Sequence, residues 1–292
     1  LIVGHHQAVQ VQSGAPADHG LSMDQPVIDS IRAEAGHITS AHSFVSLFLW
    51  QGRMGLSVCL EDHAFFVHFF QRGKNAWFYP CGSREAQLRF VQAGLDCPDF
   101  SLHYIRREDL DFLQDQFPGR FRFEEARGDW EYICSRQNQE ELPGKSFRNL
   151  RAKVHKAQKR FDWTVTPLHA NCRKAAEQVI RQWEAGRETA GDGEVIMTGM
   201  DFFEQLGLQG ILLSDEEGPK AMVIAPGIFD LHATKTLIPR IDSYLKWELY
   251  RRLPPEVLWI NQEEDLDIPG LRTNKEDSVP DHMIPLWKGF LI

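Results

Sequence analysis

Residues 145–161, KSFRNLRAKVHKAQKRF, constrain the fold more than any other stretch. Phe147, Leu150, Val154, Ala157 and Phe161 recur at steps of three and four, the spacing of one face of a helix. The same stretch holds Lys145, Arg148, Arg151, Lys153, Lys156, Lys159 and Arg160 and no acid. Arg148, Arg151, His155 and Lys159 flank one side of the apolar stripe, and Lys153, Lys156 and Arg160 the other. The chain therefore has to lay this helix on a core with its charges turned outward. Its formal charge is −9 overall, so the residues outside these seven cations sum to −16. Crowded like charges repel, and an anion relieves them: a phosphate group, a nucleic-acid backbone or the chain's own acidic surface. Net acidity excludes a protein coated in basic charge for nucleic acid and leaves a local patch open.

The chain has 292 residues, 42% hydrophobic and 25% charged. These are globular proportions, with room for about two domains. Apolar runs such as Phe44–Trp50 and Ala64–Phe70 fall far short of the ~20 residues of a membrane span. No Arg/Lys-led apolar segment opens the chain, so no secretory signal is expected. The five cysteines, Cys59, Cys81, Cys97, Cys134 and Cys172, are widely spaced and contain no CxxC pair. They read as reduced thiols of a cytoplasmic protein, and no metal site is expected.

Residues 1–22 read as a flexible arm. A mixed block follows: a helix over Pro26–Ala35, strands at Leu56–Leu60, Ala64–Phe70 and Ala76–Tyr79, then a helix capped by Ser83 and ended by Gly94. A strand Phe100–Ile105, a helix Arg107–Phe117 and strands Phe121–Glu125 and Trp130–Cys134 complete it. The second block runs strand Trp163–Pro167, then a helix capped by Asn171 with Ala175, Val179, Ile180 and Trp183 inward. A glycine-rich loop from Gly186 to Gly199 precedes a short helix near Asp201–Leu206. Strands Gly210–Leu213 and Ala221–Ala225 join through Asp215-Glu216-Glu217-Gly218, a hairpin turn. Strand Phe229–Ala233, helix Arg240–Leu253, strand Val257–Ile260, a short helical stretch and a strand Ile284–Leu291 close the chain. This order is similar to that of a GNAT-type N-acyltransferase domain, and the first block has a looser version. The expected class is thus α/β with mixed sheets, as two tandem GNAT-like domains: 23–128, and 129–292 with the basic helix 145–161.

Two further stretches can carry chemistry. In Trp259–Ser278, four of the six residues from Gln262 to Asp267 are acidic and follow a strand end, where α/β proteins place site residues. Such carboxylates can bind an amine or act as general base. Arg272 and Lys275, three residues apart, can hold a carboxylate or phosphate; the alternative is a solvated loop with local ion pairs. In Phe229–Thr236, His232 and Lys235 sit at a strand end, where a lone histidine is also commonly a structural hydrogen-bonding residue. HExxH, GxSxG, Walker and GxGxxG patterns are absent from the sequence, which removes several metal, hydrolase and nucleotide chemistries.

The segments YICSRQNQEELPGKSFRNLRAKVHKAQKRF, FDLHATK and WINQEEDLDIPGLRTNKEDSVP together resemble the C-terminal catalytic domain of phosphatidylglycerol lysyltransferase and, more distantly, FemABX-type aminoacyl transferases. Ile260, Asn261, Glu263, Asp265, Leu266, Gly270, Leu271, Arg272 and Lys275 match the family pattern; Gln262 stands where Arg is usual and Asp267 where Gly is usual. Leu142, Gly144, Lys145, Arg151 and Phe161 fit an earlier segment. His232 and Lys235 fit a His-x-Glu-Lys pattern in which Thr234 replaces Glu.

The resemblance implies transfer of an acyl or aminoacyl group to an amine or hydroxyl, at a site between the two domains. It implies catalytic roles for His232, Asn261, Glu263 and Asp265 and substrate binding by Lys235, Arg272 and Lys275. Phosphate or tRNA contact then falls to Lys145, Arg148, Arg151 and Lys156. The donor is aminoacyl-tRNA or acyl-CoA, and the acceptor a small molecule or lipid headgroup. Two alternatives stand beside this: an acyl-CoA-dependent N-acyltransferase on a small amine, and a non-catalytic binding module on the same fold. Residues 235–240, where acyl-CoA enzymes offer a glycine-rich turn, read KTLIPR, with no glycine and a proline that lacks an N–H for a pyrophosphate.

Overall fold

The computed structural model describes residues 21–292 except 62, 72, 98, 161, 186–191, 227–232 and 239. The arm expected over 1–22 lies outside them, but for the last two residues, which open the first helix. The chain forms two mixed α/β units, the class expected. One comprises the described residues up to Trp130 together with Ile284–Ile292, and the other Glu131–Met283.

The first unit opens with helices α1 (Leu21–Glu34) and α2 (Phe44–Met54). Periodicity does not predict α2, because its apolar residues surround it: Phe44, Val45, Leu47 and Leu49 are all buried. Its ends are nevertheless marked. The Ser43 hydroxyl accepts from the Ser46 N–H at 3.2 Å, and Gly55 closes the helix in the left-handed region at φ 61°. Strands β1 (Ser57–Glu61), β2 (Ala64–Gln71), β3 (Lys74–Phe78) and β4 (Cys81–Gly82) follow, then α3 (Arg84–Gly94), β5 (Ser101–Ile105), α4 (Arg107–Gln116) and β6 (Phe121–Glu125). Ser83 caps α3 as expected, accepting from the Ala86 N–H at 3.2 Å.

Between α1 and α2 lies a buried polar relay. The His42 Nε2 is 2.8 Å from the Tyr79 carbonyl, which only accepts, so this nitrogen carries the proton. His42 Nδ1 then accepts from the Thr39 hydroxyl at 3.0 Å, and the same hydroxyl accepts from His37 Nδ1 at 3.0 Å. Both imidazoles are neutral. Burial holds His42 down to about 3 and His37 well below its ordinary value.

The second unit runs β7 (Glu131–Ser135), α5 (Arg136–Glu141), α6 (Arg148–Arg160), β8 (Thr164–Pro167), α7 (Arg173–Glu184), α8 (Gly193–Asp201), β9 (Leu208–Asp215), β10 (Gly218–Pro226), β11 (Ala233–Thr236), α9 (Asp242–Tyr250), β12 (Trp259–Asn261), α10 (Pro269–Glu276) and β13 (His282–Ile284). Its larger sheet is antiparallel, in the order β11-β10-β9-β8, and β12-β7-β13 form a smaller one. The hairpin expected at Asp215–Gly218 is present, with those two residues paired. Four expectations shift. The residue before α7 is Cys172, with no side-chain cap, so Asn171 does not cap the helix. The inward face of α7 is Ala176, Val179 and Ile180, with Ala175 only half-buried. The helix after α7 is α8, earlier than Asp201–Leu206, so it occupies part of the expected glycine-rich loop. The strand expected at Phe229–Ala233 is seen only from Ala233; the residues before it lie outside the described ones.

The last strand, β14 (Trp287–Leu291), was expected in the C-terminal domain. It lies instead in the first unit's sheet, whose order is β1-β2-β3-β5-β14-β6. It pairs antiparallel with β5 on one side and β6 on the other. Local alternation marks a strand but carries no information on which distant sheet it joins. Among the described residues, no helix is long and apolar enough to cross a membrane.

Candidate functional site

The stripe predicted for the basic helix is its buried face. Phe147, Leu150, Val154 and Ala157 pack in the second unit's core with Ile211, Leu213, Val223, Tyr244 and Leu245; Phe161 lies outside the described residues. The helix begins at Arg148, after a turn, and not at Lys145. On a turn of about 3.6 residues, Arg148, Lys156 and Lys159 project from the side opposite this stripe and do not flank it as expected, and Lys145 lies in the turn before the helix. All four are exposed, and among the described residues none of the four makes an ion pair.

The two cations nearest the stripe, Arg151 and Lys153, are used internally. Arg151 donates from Nη1 to the Leu142 carbonyl and from Nη2 to the Gly144 carbonyl at 3.1 Å, which closes the left-handed turn after α5, where Leu142 has φ 50° and Gly144 φ 65°. Lys153 pairs with Asp277 at 2.6 Å, tying α6 to the end of α10. Arg151 thus sits beside the exposed row with its guanidinium committed to the backbone.

The strand-end stretch forms a connected network. Asn261 is buried; its Nδ2 donates to Glu131 at 2.7 Å and its Oδ1 accepts from the Glu263 N–H at 2.7 Å. Three non-glycine residues of the loop, Glu263, Leu266 and Asp267, adopt left-handed φ of 59°, 54° and 57°, a concentration of strain typical of functional loops. Asp265 is 0% exposed and accepts four hydrogen bonds. They come from the Tyr132 hydroxyl at 2.5 Å, Arg272 Nε and Nη2 at 2.9 Å each, and the Asp267 N–H at 2.9 Å. Arg272 also reaches Asp267 at 2.7 Å. The hydrogen bonds it donates to Asp265, and then those to Asp267, raise the guanidinium above its ordinary range.

Beneath the loop lie two buried lysines. Lys275 donates to the Gln262 carbonyl; burial lowers it, opposed by the Glu263, Glu264 and Glu131 carboxylates. Lys246 on α9 donates to Gln262 Oε1 at 3.3 Å and to Asn274 Oδ1 at 2.8 Å. Burial, then the nearby Lys275, pushes it down to about 8. Gln262 Nε2 in turn lies 3.2 Å from the Cys134 sulfur. The network therefore gathers Asn261, Glu263, Asp265, Arg272 and Lys275. Asn261 and Lys275, however, are interior braces. Glu131, Tyr132 and Lys246 escaped sequence reasoning, since a tyrosine in an apolar strand and a lysine inside a helix look like ordinary core and surface.

Lys235 does not join this network. It pairs with Asp192 at 2.8 Å and lies over the Trp183 ring, 3.9 Å from its centroid, so it braces β11 against α7. His232 lies outside the described residues. Among the described residues, no group of His, Cys, Asp and Glu is placed to hold a metal ion.

Residues 32–234 match the family model described as phosphatidylglycerol lysyltransferase, C-terminal. The chain belongs to this family. The match stops short of the strand-end loop. No curated protein matches the chain. Among solved structures, a conserved protein of unknown function from Bacteroides thetaiotaomicron is 21% identical with a TM-score of 0.84, over 93% of this chain and 97% of that one. The L-PGS from Bacillus licheniformis is 14% identical, TM-score 0.65, over 96% and 93%. FemX is 9% identical, TM-score 0.62, over 92% and 96%. At these identities the likeness is one of fold. At the coarse level this phosphatidylglycerol lysyltransferase C-terminal family member is an aminoacyltransferase-type protein.

Proposed function

We propose that this chain transfers an aminoacyl group from an RNA-borne ester to an amine or hydroxyl acceptor. The observation that carries the reading is the exposed row Lys145, Arg148, Lys156 and Lys159. From Arg148 to Lys159 it runs about 16 Å at ~1.5 Å per residue, long enough to follow several phosphates of one strand. A row of cations with no ion-pair partner among the described residues is relieved when an anion meets it, and a nucleic-acid backbone repeats its charge along a line.

In the reaction the acceptor's nitrogen or oxygen attacks the ester carbonyl carbon. The carbon–oxygen bond to the ribose breaks, and the acceptor's proton ends on the released ribose hydroxyl. Asp265 has its acceptor positions filled, so we assign the general base to the half-buried Glu263, whose backbone the Asn261 amide oxygen fixes. His232 remains a second candidate for handling that proton. Arg272 faces the acyl group. The acceptor stays at the level of a nucleophilic small molecule or lipid headgroup.

The deciding experiment incubates the protein with tRNA charged with a radiolabelled amino acid and a panel of amines and hydroxyl compounds. Label leaves the RNA and appears in one acceptor class if the reading is correct. Consumption of acetyl-CoA in its place, or thermal stabilisation by coenzyme A and not by tRNA, would overturn it.

A further inference from the structure

Arg272 has five N–H donors. Nε and one Nη2 hydrogen go to Asp265 and the second Nη2 hydrogen to Asp267. The two hydrogens on Nη1 have no partner among the described residues, and the side chain is 33% exposed. The guanidinium is thus clamped along one edge and offers the other outward. Two carboxylates already sit on it, so the free edge suits an uncharged oxygen acceptor better than a phosphate.

What aims the guanidinium is Asp265, and what aims Asp265 is Tyr132. A carboxylate has about four lone-pair positions. Arg272 fills one on each oxygen and the Asp267 N–H a second on Oδ1; the Tyr132 hydroxyl, at 2.5 Å, meets Oδ2 beside Arg272 Nε. Tyr132 is fully buried on β7, whose next three residues pair with β12, and its own N–H and C=O bond the Glu263 carbonyl and the Gln262 N–H, so its ring is anchored where the sheet meets the start of the loop. We propose that Tyr132 is a positioning residue that holds Asp265, and through it Arg272, so that Arg272 Nη1 presents its two N–H groups to the acyl carbonyl oxygen. The phenol never touches the reacting atoms. The assignment rests on the transfer reading above.

The test is Tyr132→Phe, which removes one oxygen and keeps the ring. The first readout is hydrogen exchange at Arg272 Nε–H by nitrogen-15 NMR, assigned with Arg272→Lys. Tyr132→Phe should speed that exchange about tenfold or more, the effect of losing one hydrogen bond to a charged group. Leu150→Ala, which loosens the same unit's core away from the clamp, should leave it within about twofold of the wild type. The second readout is transfer from aminoacyl-tRNA, where Tyr132→Phe should lower kcat about tenfold with little change in KM for the RNA. Unchanged exchange in Tyr132→Phe, or equal acceleration by Leu150→Ala, would overturn the positioning role. A wild-type protein with no transfer activity would instead sink the transfer reading, and the exchange measurement would still decide the Tyr132 clamp.

Discussion

The exposed face of α6 makes a quantitative demand on salt dependence. Among the described residues, Lys145, Arg148, Lys156 and Lys159 make no ion pair, whereas Arg151 is bonded to two backbone carbonyls and Lys153 to Asp277. If the four free cations each meet one phosphate, counterion release sets the slope of log K against log salt at about −0.7 to −0.9 per contact, or roughly −3 to −4 in all. Raising salt from about 50 to 200 mM then weakens tRNA binding by about 10²-fold. The assay is fluorescence anisotropy of labelled tRNA over a salt series. Each single change to Gln among the four should flatten the slope by about 0.7–0.9, and the quadruple variant should lose the helix's share. Arg151→Gln should keep the slope, and lose stability by about 2 kcal/mol as two carbonyls forfeit a charged donor. A quadruple variant with native helix content and an unchanged slope would refute the argument. So would an Arg151→Gln variant that flattens the slope as much as Arg148→Gln.

Other consequences follow from the same geometry. His42 and His103 are each held down to about 3, burial being the first cause in both, with Lys288 adding to the second. The unfolded chain binds these protons from about pH 6.5 downward, so stability is complete above that pH and is lost progressively towards pH 3. At pH 5 the loss is about 2 kcal/mol per group at ~1.4 kcal/mol per unit; identical urea midpoints at pH 7.5 and 5 would contradict it. Asp267→Gly and Asp267→Val both remove the Arg272 contact, but only valine resists the left-handed φ of 57°, so urea unfolding should find the valine variant about 1–2 kcal/mol less stable than the glycine variant. Leu150→Ala should cost about 3 kcal/mol on chemical denaturation by hollowing the core under α6. Glu263→Gln should lower kcat for transfer by about 10²-fold or more while leaving tRNA affinity intact.

Much of the architecture was legible because many elements bury one face. The stripe Phe147 to Ala157, the Ser83 cap and the Asp215–Gly218 hairpin each follow from local chemistry. Helix α2 was hidden by burial all round, which erases the period that sequence reasoning uses. At the site, residue type misled where long side chains turned inward. Arg151, Lys235 and Lys275 read as ligand-binding cations, yet each ends on an acceptor of this chain. Conversely Tyr132 lies 133 positions from Asp265, a separation no local pattern spans. The departure at Asp267 becomes intelligible in three dimensions. Its backbone lies in the region glycine adopts freely, which Asp tolerates better than most residues, and its carboxylate gains Arg272.

Strand β14 has a consequence for biosynthesis. The sheet that starts near the amino end lacks a member between β5 and β6 until Trp287–Leu291 arrives. On the ribosome, Glu131–Met283 must emerge entirely before that gap is filled. Of these two units, the one whose strands emerge earlier is therefore the later to close, and until then β5 and β6 each present an unpaired edge to whatever chaperone or neighbour is at hand.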